Sequence, residues 1–458
     1  MDSDIKSTLA KQRAYFDSGA TRDVSFRLDR LKRLRQALID HESEILDALY
    51  KDFRKPHNES HGTEIGLAIT ELNYFISHLR KWTKRKTVPT FLFNFYTRSY
   101  IYHEPYGLAL LITPWNYPFL LTIPPLIGAI AAGNCVVLKP SERSPNSSNV
   151  IKSILDSVFP EEHVKVYLGD SVISQTLLRE NWDYLFFIGG IRVGKIIMEA
   201  AAKNITPLTL ELGGKSPCIV HHDADIAKAA RRIVWGKMLN GGQSCAAPDY
   251  VLAHKKIWGK LLEAMKGELL TFYGNNPEDS GDFCRMIDDQ HYQRLKRFLD
   301  NGDIVLGGQS NDKTRYIAPT ILKHISMDDP VMSEEIFGPI LPVLDYETLD
   351  DVAGIVKKNP NPFALYIFTN SPSVERELIE RIPFGAGCVN DTMIQFASST
   401  VPLGGVGASG IGSYRGKASF EAFSHRKGIL KKSNLFDLPF RYPPYTEFKG
   451  KIVRFFLK

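Results

Sequence analysis

Cysteine is scarce in this sequence, with five in 458 residues, at Cys135, Cys218, Cys245, Cys284 and Cys388. They are odd in number and far apart, and none stands in a CxxC spacing. That excludes a disulfide framework and a thiolate zinc site, and it suits a cytoplasmic protein in a reducing compartment. A strong charge bias is also lacking, since 57 basic and 51 acidic residues leave a net charge of +6. No basic stripe interleaved with aromatics accompanies that excess, so nucleic acid is not an expected partner. The start, Met1-Asp2-Ser3-Asp4-Ile5-Lys6, has no apolar h-region, and no secretory signal is expected. There is no internal repeat and no low-complexity segment. The cluster His221-His222-Asp223-Asp225 has the composition of a metal site. Neighbours on a strand point to opposite faces, however, so it reads as a strand end followed by a helix cap, and no metal is expected.

Charge is missing altogether from residues 107–138, a stretch longer than the ~18 apolar residues that suggest a membrane span. Pro114, Asn116, Pro118, Pro124, Pro125 and Asn134 divide it into strand, turn, short helix and strand, which predicts buried core and no integral membrane segment. The last residues, 449–458, are short, basic and apolar; they could touch a membrane surface but not span one.

The length calls for two or three domains. Leu28, Leu31, Leu34 and Leu38, then Ile45, Leu46 and Leu49, recur at helical spacing and predict one long amphipathic helix over 25–52. A second helix is expected at about 64–82, and residues 87–102, rich in Thr, Phe and Tyr, read as an extended arm or hairpin. From Tyr106 short apolar strands alternate with helices. Strands are expected at 108–112, 135–138, 164–168, 184–187, 208–210 and 218–220, with helices at 144–158 and 194–203 between them. This alternation argues for an α/β protein with a parallel, doubly wound sheet, which binds ligands at the carboxyl ends of its strands. Further helices are expected at about 226–239, 257–272, 289–299 and 349–357, with a strand at 250–253. The glycine-dense segment 403–410 must be loop.

Against this background one small turn stands out, Gly241-Gly242-Gln243-Ser244-Cys245. A cysteine in a glycine-rich loop is commonly inert, but upstream Glu211 lies in an apolar segment just before Gly213-Gly214. A thiol and a carboxylate able to act as base are the minimum parts for covalent catalysis with hydrolysis. Four other stretches could serve such a centre. Ile188-Gly189-Gly190-Ile191-Arg192-Val193-Gly194-Lys195-Ile196 nearly matches a phosphate loop, but Ile196 replaces the required hydroxyl; what remains is a glycine turn feeding a helix, suited to phosphate. Lys139-Pro140-Ser141-Glu142 could hold a ribose, or could be an ordinary strand-to-helix turn. In Thr113-Pro114-Trp115-Asn116-Tyr117-Pro118, Asn116 is either a turn residue or a stiffly held amide donor of the oxyanion-hole kind. Glu334-Glu335-Ile336-Phe337-Gly338-Pro339 says little by itself.

Taken in order, these stretches resemble the NAD(P)-dependent aldehyde dehydrogenase superfamily, from about residue 10 to about residue 445. The subgroup looks like the class 3 enzymes, which take medium- and long-chain aliphatic or aromatic aldehydes. Its marks are the short N-terminus, Ala247-Pro248-Asp249-Tyr250, Gly412-Ser413-Tyr414-Arg415-Gly416-Lys417 and Arg441-Tyr442-Pro443-Pro444-Tyr445. The resemblance implies the aldehyde dehydrogenase-like fold: a Rossmann-type NAD(P) domain over 1–83 and 104–209, and an α/β catalytic domain over 210–395. An oligomerisation arm with a C-terminal segment would occupy 84–103 and 396–458. It implies Cys245 as nucleophile, Asn116 with the cysteine N–H as oxyanion donors, and Glu211 as the base that hydrolyses the thioester. Cofactor-binding residues would be Thr113, Pro114, Trp115, Lys139, Glu142, Gly189, Gly190, Gly194, Leu212, Gly213, Glu335 and Phe337. The cofactor would be NAD or NADP, the partner an aldehyde, and the assembly a homodimer.

The physical chemistry fits these roles. A thiol with a free pKa of about 8.5 is mostly protonated at neutral pH and needs activation. No histidine or arginine neighbours Cys245 in sequence, so activation must come from folded neighbours or a bound cofactor. Burial would raise the pKa of Glu211 toward the value a base needs. Three departures stand out. Phe187-Ile188-Gly189-Gly190 replaces the family's Phe-Thr-Gly-Ser and loses a hydroxyl at the cofactor phosphate. Leu403 stands in the usual Pro-Phe-Gly-Gly, and Gln395 replaces a histidine frequent in class 3. Two rivals remain, a coenzyme A-acylating dehydrogenase, against which Glu211 argues, and a catalytically silent structural relative.

Overall fold

Six strands form the first sheet, in the order Gly410–Ile411, Leu208–Leu212, Tyr184–Gly189, Leu108–Ile112, Cys135–Lys139, Val164–Val166. All pair in parallel except the first, which runs antiparallel to Leu208–Leu212. The computed structural model describes residues 2–91, 94, 96–435 and 437–457. The uncharged stretch lies at the heart of this unit. Strands Leu108–Ile112 and Cys135–Lys139 flank the helix Ile123–Ala132, every residue of which is buried. Burial on both faces is why these strands read as continuous apolar runs. Arg27 closes the far end of that helix: Nε donates to Thr21 O at 2.6 Å and a terminal amine to Ala131 O at 3.1 Å.

The expected long helix over 25–52 is two helices, Val24–Asp40 and Glu42–Phe53, broken at His41. Leucines 28, 31, 34 and 38 and Ile45 and Leu49 are all buried, so the apolar spacing was read correctly and the break was not. The break turns the second helix so that Asp52, near its end, caps the helix Pro145–Val158. Its carboxylate accepts from Ser147 N at 2.8 Å and Asn146 N at 3.2 Å. That partner lies far along the chain, which is why periodicity alone could not find the break.

A second sheet of seven strands has the order Asp303–Leu306, Thr320–Lys323, Ile340–Tyr346, Tyr250–His254, Pro217–Val220, Ala364–Phe368, Ala386–Val389. Its strands are parallel apart from the antiparallel Asp303–Leu306 at one edge. The arm expected at 87–102 is a small third sheet, in which Lys86–Val88, Thr97–Pro105 and Ser424–Lys432 pair antiparallel. Leu92, Phe93 and Phe95 of that arm, and Lys458 of the tail, lie outside the described residues. The segment 403–410 is loop and 3-10 turn up to the short edge strand Gly410–Ile411. The rings of His221 and His222 lie 4.1 Å apart rather than on opposite faces, because the strand ends at Val220 before them. Asp225 does cap the helix Ile226–Met238, accepting from Lys228 N. Among the described residues no helix is long and apolar enough to cross a membrane.

Candidate active site

The chain reaches Cys245 through three residues with positive φ, Asn240 (53°), Gly241 (60°) and Gly242 (76°). A Cβ at Gly242 would stand 2.2 Å from Gly338 O, so glycine is required there by backbone approach as well as by φ. Gln243 then fastens the turn. Its amide donates to Asn240 O at 2.9 Å and Arg285 O at 3.1 Å, and its oxygen accepts from Ile287 N at 3.0 Å. Gln243→Ala leaves the buried Arg285 O and Ile287 N unmet and is expected to destabilise the fold by ~2–4 kcal/mol, measured by denaturant unfolding.

The turn carries Cys245 to the end of the strand Leu208–Leu212, where Sγ donates to Glu211 Oε1 at 3.2 Å. Both side chains are buried, and burial is the main reason that both pKa values are raised. The thiol is held well above its ordinary value, with the Glu211 and Glu335 carboxylates adding to the rise and its own backbone N–H opposing it. At rest this is therefore a neutral thiol hydrogen-bonded to a carboxylate, and the Tyr414 hydroxyl lies beside the same carboxylate. Asn116 is buried and donates through Nδ2 to Gln243 O at 3.2 Å. The second N–H of that amide makes no hydrogen bond among the described residues, so it can serve a ligand.

Cys245 belongs to the walls of two cavities. One, of about 290 Å³, is the more polar and lies at the carboxyl ends of the first sheet. Of the residues singled out above it gathers Pro114, Trp115, Asn116, Gly189, Gly190, Glu211, Leu212, Gly213, Cys245, Glu335 and Phe337. The other, of about 150 Å³, is apolar and approaches the sulfur from the opposite side between Leu67, Leu120, Leu121, Trp235, Met393 and Phe396.

Four singled-out residues do not line the polar cavity. Thr113 is buried against Thr122, their hydroxyls 2.8 Å apart. The Lys139 amine donates to Pro140 O at 2.8 Å and Glu142 Oε2 at 3.0 Å, so the two are paired with each other. Gly194 corrects two readings. The helix expected from 194 begins at Ile191, and Gly194 sits within it, where a Cβ would meet Leu212 Cδ2 at 2.6 Å. It packs helix on strand rather than facing a ligand.

His291 lines the cavity and Lys215, Asp249 and Gln395 brace it from behind, and sequence reasoning gave none of them these roles. Lys215 gives all three donors, to Asp249 Oδ2 at 2.6 Å, Val331 O at 2.8 Å and Glu334 O at 3.0 Å. With Ile336 N donating to Asp249 Oδ1 at 3.0 Å, this pair fixes the segment bearing Glu335 and Phe337. Lys215 and Asp249 stood inside quoted motifs, but their pairing needs the fold. His291 meets Phe337 O at 2.8 Å, and burial lowers its pKa to about 3, keeping the ring neutral. Gln395 donates to the Tyr366 hydroxyl at 2.8 Å, which in turn donates to Ala246 O at 2.6 Å beside the thiol.

Burial, with Asp249 adding, raises the pKa of Glu335 from 4.5 to about 8, and its Oε1 is buried without a hydrogen-bond partner. Between those pH values the folded protein keeps a proton that the unfolded chain has released, so stability falls as pH rises through that window. Glu335→Gln is expected to flatten that fall and raise Tm at pH 8, seen by thermal unfolding of cofactor-free protein at pH 5 and 8.

The donor set fits a dinucleotide. Glu335 Oε1 is an unmet acceptor, and a Cβ at Gly213 would stand 2.0 Å from Glu335 Oε2, so only glycine admits that carboxylate. Gly190 opens onto free space, and no side chain caps the helix Ile191–Asn204 behind it. Fold and site together define an oxidoreductase of the dinucleotide-using kind. The sequence matches the model of the aldehyde dehydrogenase family over residues 1–429, and the chain belongs to that family. Its activity is NAD(P)-dependent oxidation of an aldehyde to the acid. It is 43% identical to the 4,4'-diaponeurosporen-aldehyde dehydrogenase of Staphylococcus aureus, over 99% of each chain. It is 42% identical to aldehyde dehydrogenase family 3 member B1 of Homo sapiens, over 96% of this chain and 95% of that one. Among solved structures, the substrate-bound state of Staphylococcus aureus AldH matches with a TM-score of 0.97 at 43% identity, covering 99% of each chain.

Proposed function

We propose that the protein oxidises medium- and long-chain aliphatic or aromatic aldehydes, with Cys245 as nucleophile, Glu211 as base and Asn116 as oxyanion donor. The observation that carries this reading is the place of Cys245 between a polar and an apolar cavity. An apolar chain entering between Leu120, Leu121, Met393 and Phe396 brings its terminal carbonyl to the sulfur. The relative in Staphylococcus aureus is named as a 4,4'-diaponeurosporen-aldehyde dehydrogenase.

Glu211 Oε1 takes the thiol proton as Sγ bonds to the carbonyl carbon, and the Asn116 amide with the Cys245 backbone N–H holds the oxygen that becomes negative. NAD or NADP held in the cavity would supply the acceptor for the hydride that leaves that carbon. Glu211, after releasing its proton, takes one from water, whose oxygen attacks the carbon held on Cys245; the C–S bond breaks and the sulfur regains a proton as the acid leaves. Pro114, Trp115, Gly189, Gly190, Leu212, Gly213, Glu335 and Phe337 would hold the cofactor from the cavity wall. Lys139 and Glu142 would reach its ribose only by opening their mutual bond.

In this reading residues 1–83 and 104–209 are the cofactor domain, which holds the first sheet except Gly410–Ile411 and the end of Leu208–Leu212, and residues 210–395 are the catalytic domain with the second sheet. The small sheet, which lies in 84–103 and 396–458 apart from the last two residues of Thr97–Pro105, is the oligomerisation arm. The strand Ser424–Lys432 is an edge strand, largely exposed, and an edge of that length suits pairing with a second copy in a homodimer. Five free cysteines agree with a cytoplasmic setting. The helix Glu447–Phe456, with no buried residue and with Phe448 and Phe455 exposed, suits peripheral contact with a membrane.

The test is reduced-cofactor absorbance with n-alkanals of increasing length and benzaldehyde, with NAD and with NADP. KM is expected to fall with chain length by up to ~4-fold per added CH₂ while the channel is filling. Absence of signal with every aldehyde and both cofactors would overturn the reading, and a requirement for coenzyme A would favour acyl transfer.

A further inference from the structure

The polar cavity has a cationic wall that the reading above leaves without a task. Arg143, Arg294 and Arg297 line, with His291 and Gln290, a space of about 270 Å³ that shares Arg143, His291 and Arg294 with the polar cavity. Arg294 is spent on protein: it donates to Glu334 Oε1 and Glu335 O at 3.2 Å and to Ile336 O at 2.5 Å. Arg143 is spent only at Nε, on Asp288 Oδ2 at 2.6 Å, and its two terminal amino groups make no hydrogen bond among the described residues. Arg297 is exposed and forms no ion pair there. With one of three guanidinium groups neutralised by Asp288 and one by Glu334, the wall keeps a positive charge facing the cavity.

The position of Arg143 is informative. It follows the strand Cys135–Lys139, the neighbour of Leu108–Ile112 on the side away from Cys245. Its guanidinium leans back over the Trp115 ring, 4.6 Å from the centroid, beyond the end of Leu108–Ile112. The next strand, Tyr184–Gly189, ends in the turn Gly189-Gly190, and the one after it carries Glu211. Arg143 is thereby held over the middle of the sheet edge, on the same cavity as Gly189 and Gly190, between the reacting end and the ribose-side pair Lys139–Glu142. In a doubly wound sheet the middle of that edge is where a dinucleotide's phosphates lie. The turn itself offers no side-chain hydroxyl, since positions 188–190 are Ile, Gly and Gly.

We propose that Arg143, backed by Arg297, binds the cofactor's pyrophosphate and takes over the contact that a side-chain hydroxyl on the Ile188–Gly190 turn would provide. The guanidinium fork suits paired phosphate oxygens, and stacking on Trp115 fixes it before the ligand arrives. This rests on the dehydrogenase reading and adds to it the chemistry that receives the phosphates.

The experiment measures dissociation constants of NADH and NADPH by nicotinamide fluorescence, without aldehyde, at several salt concentrations. The proteins compared are wild type, Arg143→Gln, Arg297→Gln and the double variant of the full chain, each checked for native thermal unfolding. A charge-assisted phosphate contact is worth ~10- to 100-fold in affinity, so each single variant is expected to bind both cofactors more weakly by that factor and the double variant by ~100-fold or more. Its affinity should also depend less on salt than that of wild type. Wild-type affinity in the double variant would overturn the proposal, and so would a loss confined to NADPH, which would assign the arginines to a 2′-phosphate. A wild-type protein that binds neither cofactor would instead overturn the dehydrogenase reading.

Discussion

Cys245→Ser is expected to lower kcat/KM for hexanal by ~10⁴-fold or more while leaving the fold and cofactor affinity close to wild type. Serine keeps the size of the side chain and its hydrogen bond to Glu211, so any loss reports nucleophilicity. In this site the thiol rests protonated, because burial and the Glu211 and Glu335 carboxylates all raise its pKa. A hydroxyl in the same surroundings is a far weaker nucleophile still, and the 3.2 Å contact to Glu211 Oε1 cannot ionise it. None of the other four cysteines lines either cavity that Cys245 borders, so none can substitute. Reduced-cofactor absorbance with cofactor-binding fluorescence as control checks this expectation; retention of a tenth of wild-type activity would contradict it.

The second large effect belongs to Glu211. Glu211→Gln keeps the shape at the strand end but removes the carboxylate that, among the described residues, alone makes a hydrogen bond with the sulfur. Steady-state turnover is expected to fall by ~10²–10⁴-fold, the usual contribution of a positioned general base. The wild-type pH profile follows from the same residue. Burial raises the Glu211 pKa, and the base works ionised, so activity should climb with pH through a midpoint above the ordinary carboxylate range. In Glu211→Gln that limb should vanish, which a pH series of initial rates would show.

How much of this was legible in the sequence divides along chain distance. Cys245, Glu211 and Asn116 stand in short motifs, and the structure brings all three to one cavity. The alternating strands were legible because burial on both faces writes itself as apolar runs, as in Leu108–Ile112 and Cys135–Lys139. The break at His41 was not, because the partner that Asp52 meets beyond it, Ser147, lies far along the chain. Gly194 looked like part of a phosphate turn; its reason is instead the Leu212 side chain pressed against its Cα. His291 and Arg294 gave no signal, since what they hold is the backbone of Glu335, Ile336 and Phe337, some forty residues on. Gln395 appeared only as a missing histidine. Folded, it props the Tyr366 hydroxyl that binds Ala246 O, so it helps to hold the carbonyl next to the nucleophile.

The most direct test of the central claim is intact-protein and peptide mass spectrometry of Glu211→Gln, quenched in acid after mixing with hexanal and NAD or NADP. Because Glu211 also takes the thiol proton, the variant acylates slowly and samples are taken over hours; if Cys245 forms the covalent bond and Glu211 activates the water that breaks it, hydrolysis is slower still, and one hexanoyl group per chain should accumulate on the peptide carrying Cys245, with about one equivalent of reduced cofactor. Reduced cofactor formed without an acyl group on that peptide would contradict the account.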